Sequence, residues 1–306
     1  MKKYSFFAIC LMAIIFAGCD QPSAFHPSGD ESNNPSGVNG IGIFSIAKDK
    51  KVTFSRGNLQ YTQTTNTWSF AENQYDVIGM DNVIGGNSYG NEKYGNALAD
   101  RIDLFGWSAD NTTAPFGVST SINSQDYLCP FFDWGRNQIG NDAPNTWRTL
   151  SHDEWAYLFH GRANAENLFA FGSVKGVNGI IILPDDWKIP NGLNLVASTT
   201  QGLSWEHSEE TSQYQNDNED NFTHNTYTSD QWSKLEKAGA VFLPASGYRA
   251  ASRIGGVQFV GDSWSASNYY SYNEYARRIV FSSDMLSFNS AFPRFYGLSV
   301  RLVKDL

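Results

Sequence analysis

The chain has 306 residues, with 31 acidic against 22 basic side chains and a formal net charge of −9. It carries no basic stripe to neutralise phosphates, so nucleic acid is excluded as an expected partner. Aromatic residues make up 15% and charged residues only 17%, which suits a β-rich domain with many loops and an aromatic-lined surface.

The N-terminus, MKKYSFFAICLMAIIFAGCD, places Lys2 and Lys3 before an apolar run from Tyr4 to Phe16, then small residues at Ala17 and Gly18. That order marks residues 1–18 as a secretory signal peptide, too short and wrongly flanked for a membrane span. Its ending, IFAGC, resembles the box of bacterial lipoproteins, in which the cysteine becomes the new N-terminus and carries lipid. The resemblance makes Cys19 the lipidation site and the membrane a partner through that lipid, which anchors without spanning. Residues 19–40 are rich in Pro, Ser, Gly and Asn and read as a flexible tether. Cys10 leaves with the signal peptide and Cys19 is used, so Cys129 stands alone and no intramolecular disulfide is expected. Within DYLCPFFDWG, Cys129 reads as a small buried hydrophobe.

Structure is expected over 41–306, with a β-rich first part (41–145) followed by a core (146–306). FSIAKDKKVTFSRGNLQYT reads as short strands broken by turns at Lys48–Lys51 and Arg56–Asn58, and NTWSFAENQYDVIG continues in that style. Asp81–Asp100 is rich in Gly and Asn and reads as a long loop. TWRTLSHDEWAYLFHGR is the clearest helix. Ser151 and Glu154 make a capping box, Trp155, Leu158 and Phe159 share a face, and Gly161 ends it. A second helix, in YTSDQWSKLEKAG, is capped by Thr228 or Ser229, buries Trp232 and Leu235, and stops at Gly239. GIIILPDDW and AVFLPASGYR are short buried strands, SEETSQYQNDNEDNFTHN is an exposed insertion, and GLSVRLV is a closing strand. Trp68, Trp107, Trp134, Trp147 and Trp187 are expected in the core. The class is α+β: short strands, two principal helices and long loops.

Motifs for chemistry are weak. GNSYG at Gly86–Gly90 matches the Gly-x-Ser-x-Gly pattern of serine hydrolases, but no apolar strand precedes it and no helix follows, so it reads as chance. The acidic run Asp217–Asn221 offers hard oxygen ligands without the spacing of a calcium loop, and reads as solvated. Asp185 and Asp186 read as turn formers. His152 and His160 lack a third metal ligand. No cofactor is expected.

The remaining signal is SASNYYSYNEYARR, Ser265 to Arg278. Buried strands favour Val, Ile and Leu, whereas a tyrosine hydroxyl wants water or a partner. Tyr mixed with Ser and Asn is the composition of binding loops; an exposed edge strand or a turn is the alternative. As a recognition surface, Tyr269, Tyr270, Tyr272 and Tyr275 supply flat contact area. Asn268, Asn273, Glu274, Arg277 and Arg278 add hydrogen bonds and charge, and Phe288, Asn289, Phe292 and Arg294 extend the patch. Composition leaves a glycan and a protein both open as ligand.

Several stretches resemble known families. WRTLSHDEWAYLF is similar to the signature of formylglycine-generating and sulfatase-modifying-factor domains. LPASGYR, SWSASNYY and FYGLSVRLV resemble the Fibrobacter succinogenes major paralogous domain of Bacteroidales lipoproteins, as do KVTFSRGNLQY, TWSFAENQYDVIG, RIDLFGW and GIIILPDDW. The resemblance runs from Ile41 to Val303. It implies a C-type-lectin-like fold, in which the termini meet in a small sheet, two helices pack beside it and long loops present a ligand surface. The enzymatic branch uses a cysteine pair, or copper bound to it, which Cys129 alone does not supply. Calcium-dependent lectins carry a WND-type strand where this chain has Trp264–Ser267, WSAS, so their calcium chemistry is not carried over. Related lectin-like proteins end in a segment diversified by a retroelement that mutates adenines; Asn268–Phe295 has the residue types such mutation produces, and an ordinary fixed loop has them too. The expectation is a non-enzymatic binding protein, lipid-anchored in the outer membrane at the cell surface, the periplasmic face being the alternative. A structural or assembly role in the envelope is second, and an enzyme third.

Overall fold

The computed structural model describes residues 42–110, 112–128, 130–198, 213–215, 221–270 and 272–306. Cys19, the signal and tether segments, Cys129 and Asp217–Asp220 of the acidic run lie outside the described residues. The described part is mixed α and β, mostly short strands with two α-helices.

Phe44–Ala47 and Lys50–Phe54 form a hairpin about a turn at Lys48 and Asp49. Alternation along it turns Phe44, Ile46, Val52 and Phe54 inward. Its second strand pairs antiparallel with Leu302–Asp305, whose other edge takes Arg148–Thr149. The first and last described strands thus share one sheet.

An inner sheet joins Phe169–Val174, Val177–Ile182 and Val241–Pro244, all antiparallel, with Thr226–Tyr227 added parallel at one edge. Phe169, Phe171, Ile180 and Ile182 face one core with the terminal hairpin, while Ala170, Ile181 and Phe242 face another with the second helix. Coverage on both faces explains the unbroken apolar runs at these strands.

Helix α1 spans His152–Ala156 and continues as one π turn, Tyr157–Gly161. Its capping box forms as expected: Glu154 N–H donates to Ser151 Oγ at 3.2 Å, and Ser151 N–H donates to Glu154 Oε2 at 2.9 Å. Helix α2 spans Ser229–Lys237 and is capped by Thr228, whose box partner is Gln231. Gly239 stops it with φ +95, where a Cβ would sit 2.8 Å from the Gly42 Cα.

Asp81–Asp100 is not a structureless loop. Val83–Ile84 pairs with Ala97–Leu98, and Asn87–Tyr89 forms a hairpin with Glu92–Tyr94. The hairpin continues onto Arg253–Gly255. Here backbone groups satisfy one another although the side chains show no apolar alternation. The insertion is likewise tied down at two places: Gln213–Gln215 pairs with Met285–Ser287, and Phe222 is buried.

A tryptophan-rich core holds Trp68, Trp107, Trp134, Trp147 and Trp264. Trp187 is only half-buried, against the α2 core. Arg301, fully buried, donates to Asn58 Oδ1 at 3.0 Å, Ser55 O at 3.2 Å and Phe242 O at 2.8 Å. Burial pulls its pKa down to about 9, which leaves it charged at neutral pH. Asp185 lies in a turn. It accepts from Ser45 Oγ at 2.6 Å and from Arg162 Nη1 at 3.2 Å, pinning the first strand to the end of α1.

Candidate ligand-binding surface

The C-terminal sheet is an antiparallel meander of Gly261–Asn268, Tyr275–Ser282 and Met285–Pro293, with Gln213–Gln215 on its outer edge. One end is buried. Ile279, Phe281, Leu286 and Phe288 enter the main core, and α1 packs against the sheet, with His152 N–H donating to Ser267 Oγ at 3.0 Å. The other end reaches solvent. It carries the tyrosines: Tyr269, Tyr270 and Tyr272 in the connection after the first strand, and Tyr275 at the start of the second.

Strand alternation divides the expected residues between two faces. Tyr275 pairs with Pro293 and Arg277 with Ala291 on one face; Ala276 pairs with Phe292 and Arg278 with Ser290 on the other. The register then slips: Arg278 opposes Ser290 but Val280 opposes Ser287. Two residues, Phe288 and Asn289, therefore face Ile279 alone. Such a bulge re-aims side chains, here sending Phe288 into the core and Asn289 outward beside Arg277.

On the outward face, Tyr269, Tyr272, Tyr275, Arg277, Asn289 and Ala291 line a shallow concavity of about 460 Å³. The Tyr269 and Tyr272 rings stack with centroids 6.0 Å apart, and Tyr272 meets Tyr275 at 5.8 Å. The Arg277 guanidinium lies 4.5 Å over the Tyr269 ring. Its Nη1 donates to Asn289 Oδ1 at 2.6 Å and to Asn289 O at 3.2 Å. Backbone bonds set the turn: Tyr275 N–H donates to Tyr272 O at 3.0 Å, and Tyr269 N–H to Tyr275 O at 3.2 Å. Tyr270 is 88% exposed and Tyr272 63% exposed. Asn273 and Glu274 are exposed in the turn, and Asn268 is half-buried opposite Ala276.

Four expected contact residues are placed otherwise. Phe288 is buried and stacks on Phe159 of the π turn at 6.5 Å. Arg294 is also buried. Its guanidinium lies 4.2 Å over Trp107, and Nε and Nη1 donate to Tyr275 O and Tyr127 O, both at 3.1 Å. Arg278 faces the opposite side. It donates to the buried Asp262 Oδ1 at 2.6 Å and to Ser290 Oγ at 3.1 Å, and covers the Phe292 ring at 3.8 Å. Phe292 in turn packs 4.2 Å from Tyr296, half-buried against the tryptophan core. Burial pushes the Asp262 pKa up to about 6, partly offset by the Arg278 charge. Ala291 belongs to the concavity but gives no signal in the sequence; it matters through its smallness opposite Arg277.

Elsewhere, Ser88 of the hydrolase-like motif sits in an exposed hairpin rather than on a strand-to-helix turn. His152 Nδ1 lies 2.9 Å from Asp153 Oδ1. A groove between the terminal hairpin and α1 is lined by Lys50, Glu154, Tyr157 and His160, with Glu154 held by Arg148 at 2.8 Å. Among the described residues, no three of His, Cys, Asp and Glu gather as a metal site. No helix among them is long and apolar enough to cross a membrane. No protein-family model, curated protein or solved structure matches the chain.

Proposed function

We propose that this protein is a lipid-anchored binding module of the bacterial outer membrane that captures a glycan or protein ligand through the tyrosine end of its C-terminal meander, and that it works by binding rather than catalysis. One observation carries the reading: three tyrosines and an arginine converge on one concavity, while Ile279, Phe281, Leu286 and Phe288 of the same sheet are buried in the main core. Rigid amphipathic rings held at a surface give contact area at low entropic cost. The finer fold reading, a C-type-lectin-like domain, is supported by the terminal strands sharing a sheet, by the two capped helices and by a ligand surface near the C-terminus. The residue types from Asn268 to Phe295 also fit a segment diversified by a retroelement.

The test is to express the full chain and two variants in a bacterium of the same envelope type, then apply glycan arrays and host-cell proteins to intact cells. Cys19→Ser moves the protein from the membrane fraction to the soluble fraction. Tyr270→Ala with Tyr272→Ala, both exposed, leaves expression intact and lowers capture at least several-fold. Unchanged capture after loss of both rings sinks the binding reading.

A further inference from the structure

We infer that the concavity takes a saccharide bearing a carboxylate, with the acid group on Arg277 and the sugar ring on the tyrosines; this rests on the binding reading above. The chain is acidic as a whole, yet among the described residues the only charged side chain lining this concavity is a cation. Asn289 engages one guanidinium nitrogen, Nη1. Nε and Nη2 make no hydrogen bond among the described residues. That pair forms the planar edge that receives both oxygens of a carboxylate. Asn289 and the Tyr269 ring fix the guanidinium in place, so little freedom is left to lose on binding. The nearest carboxylate along the chain, Glu274, forms no ion pair with Arg277 among the described residues.

The rest of the lining selects the body of the ligand. Tyr272 and Tyr275 line a space of about 460 Å³, the scale of a small cyclic ligand rather than a flat protein patch. A sugar has an apolar C–H face for a ring and hydroxyls for the tyrosine and asparagine groups around it. Ala291 keeps the floor open opposite Arg277. The acid has two chemical sources, a uronic acid within a polysaccharide or a terminal sialic acid, and both present a carboxylate on a pyranose ring.

The experiment uses the lipidated full-length protein in detergent micelles, titrated calorimetrically with trigalacturonate and with sialyllactose. Each is paired with its carboxyl-reduced counterpart, the same sugar with an alcohol in place of the acid. The expected result is about tenfold tighter binding of at least one acid than of its reduced form. Whichever acid shows it identifies the source. Arg277→Gln abolishes the preference without changing the far-ultraviolet circular dichroism spectrum, Arg277→Lys restores part of it, and Tyr272→Ala weakens acid and alcohol alike. Equal affinity for both forms, a preference that survives Arg277→Gln, or no binding of either acid overturns the inference. In those cases tyrosine-dependent capture of a neutral glycan or a protein leaves the binding reading standing. Capture indifferent to the tyrosines removes both.

Discussion

Asp262 is a carboxylate 1% exposed, with one oxygen on Arg278 and the other, Oδ2, without a hydrogen-bond partner among the described residues. Burial is the larger influence, so the folded protein holds the Asp262 proton near pH 6 against an ordinary value of 3.8. The folded state therefore binds that proton more tightly than the unfolded chain. Stability from this group is greatest below pH 3.8, falls as the pH rises to about 6 and is level above. Asp262→Asn removes the titration. Urea unfolding of both proteins from pH 3.5 to 7.5 is expected to show the wild-type-minus-variant difference falling across that window; a flat or rising difference contradicts the assignment. The same residues mark how far a sequence reaches at this scale. The exposure of Tyr270 and Tyr272 follows from composition, because four tyrosines with Asn and Ser cannot fill a core without stranding hydroxyls. The inward turn of Phe288 and the outward turn of Asn289 follow from a one-residue slip in pairing, which local sequence does not record. Arg294 looks like a surface cation until the carbonyls of Tyr275 and Tyr127 and the face of Trp107 surround it.

At the level of elements, the helices are the readable part, since a cap is a signal within four residues. Ser151 with Glu154 and Thr228 with Gln231 each close both halves of a capping box. Thr228→Ala strips the hydroxyl that accepts from Gln231 N–H and is expected to cost about 1 kcal/mol. A drop in the thermal midpoint of a few degrees, with unchanged circular dichroism at 20 °C, checks it; no drop means the cap is redundant. The sheet pairings were harder to foresee. Asn87–Tyr89 and Glu92–Tyr94 pair through their backbones in a stretch of Gly and Asn that lacks alternation, and Gly86 at φ +84 allows the chain to pass where a Cβ would strike Tyr94 O. Partner choice there comes from Arg253–Gly255, more than 150 residues away. The end of α1 shows the same limit: Gly161 marks the stop correctly, but the wide last turn, with Arg162 N–H donating to Tyr157 O at 2.9 Å, leaves no trace in the spacing.

Across the whole molecule, buried arginines join segments that are remote in the chain. Arg301 ties Ser55 and Asn58 to Phe242, and Arg249 donates to Ser119 O at 2.7 Å and Ala251 O at 2.9 Å. Replacing the first by an apolar chain, Arg301→Met, leaves two carbonyls and two amide oxygens, those of Asn58 and Gln74, buried without that donor. The expected loss is roughly 3 kcal/mol in denaturant unfolding; a loss below about 1 kcal/mol means water takes over the acceptors. The general plan of short strands, two helices and a closing strand is visible in the sequence, because each element carries its own punctuation. The stitching by arginine is not, since nothing in the residues around Arg301 or Arg249 marks either guanidinium as buried. The C-terminal meander has a consequence for evolution. Its ladder is built from main-chain groups, and Tyr270, Tyr272, Asn273 and Glu274 are exposed in the connection between two of its strands, so folding places few demands on these four positions. Under the proposed binding role, mutation at Tyr270, Tyr272, Asn273 and Glu274 explores new specificities while the scaffold stays silent, and the same mutation rate at the buried Ile279 or Leu286 yields only casualties. On that proposal, a lineage under pressure to change its ligand has a narrow, well-placed region in which to vary.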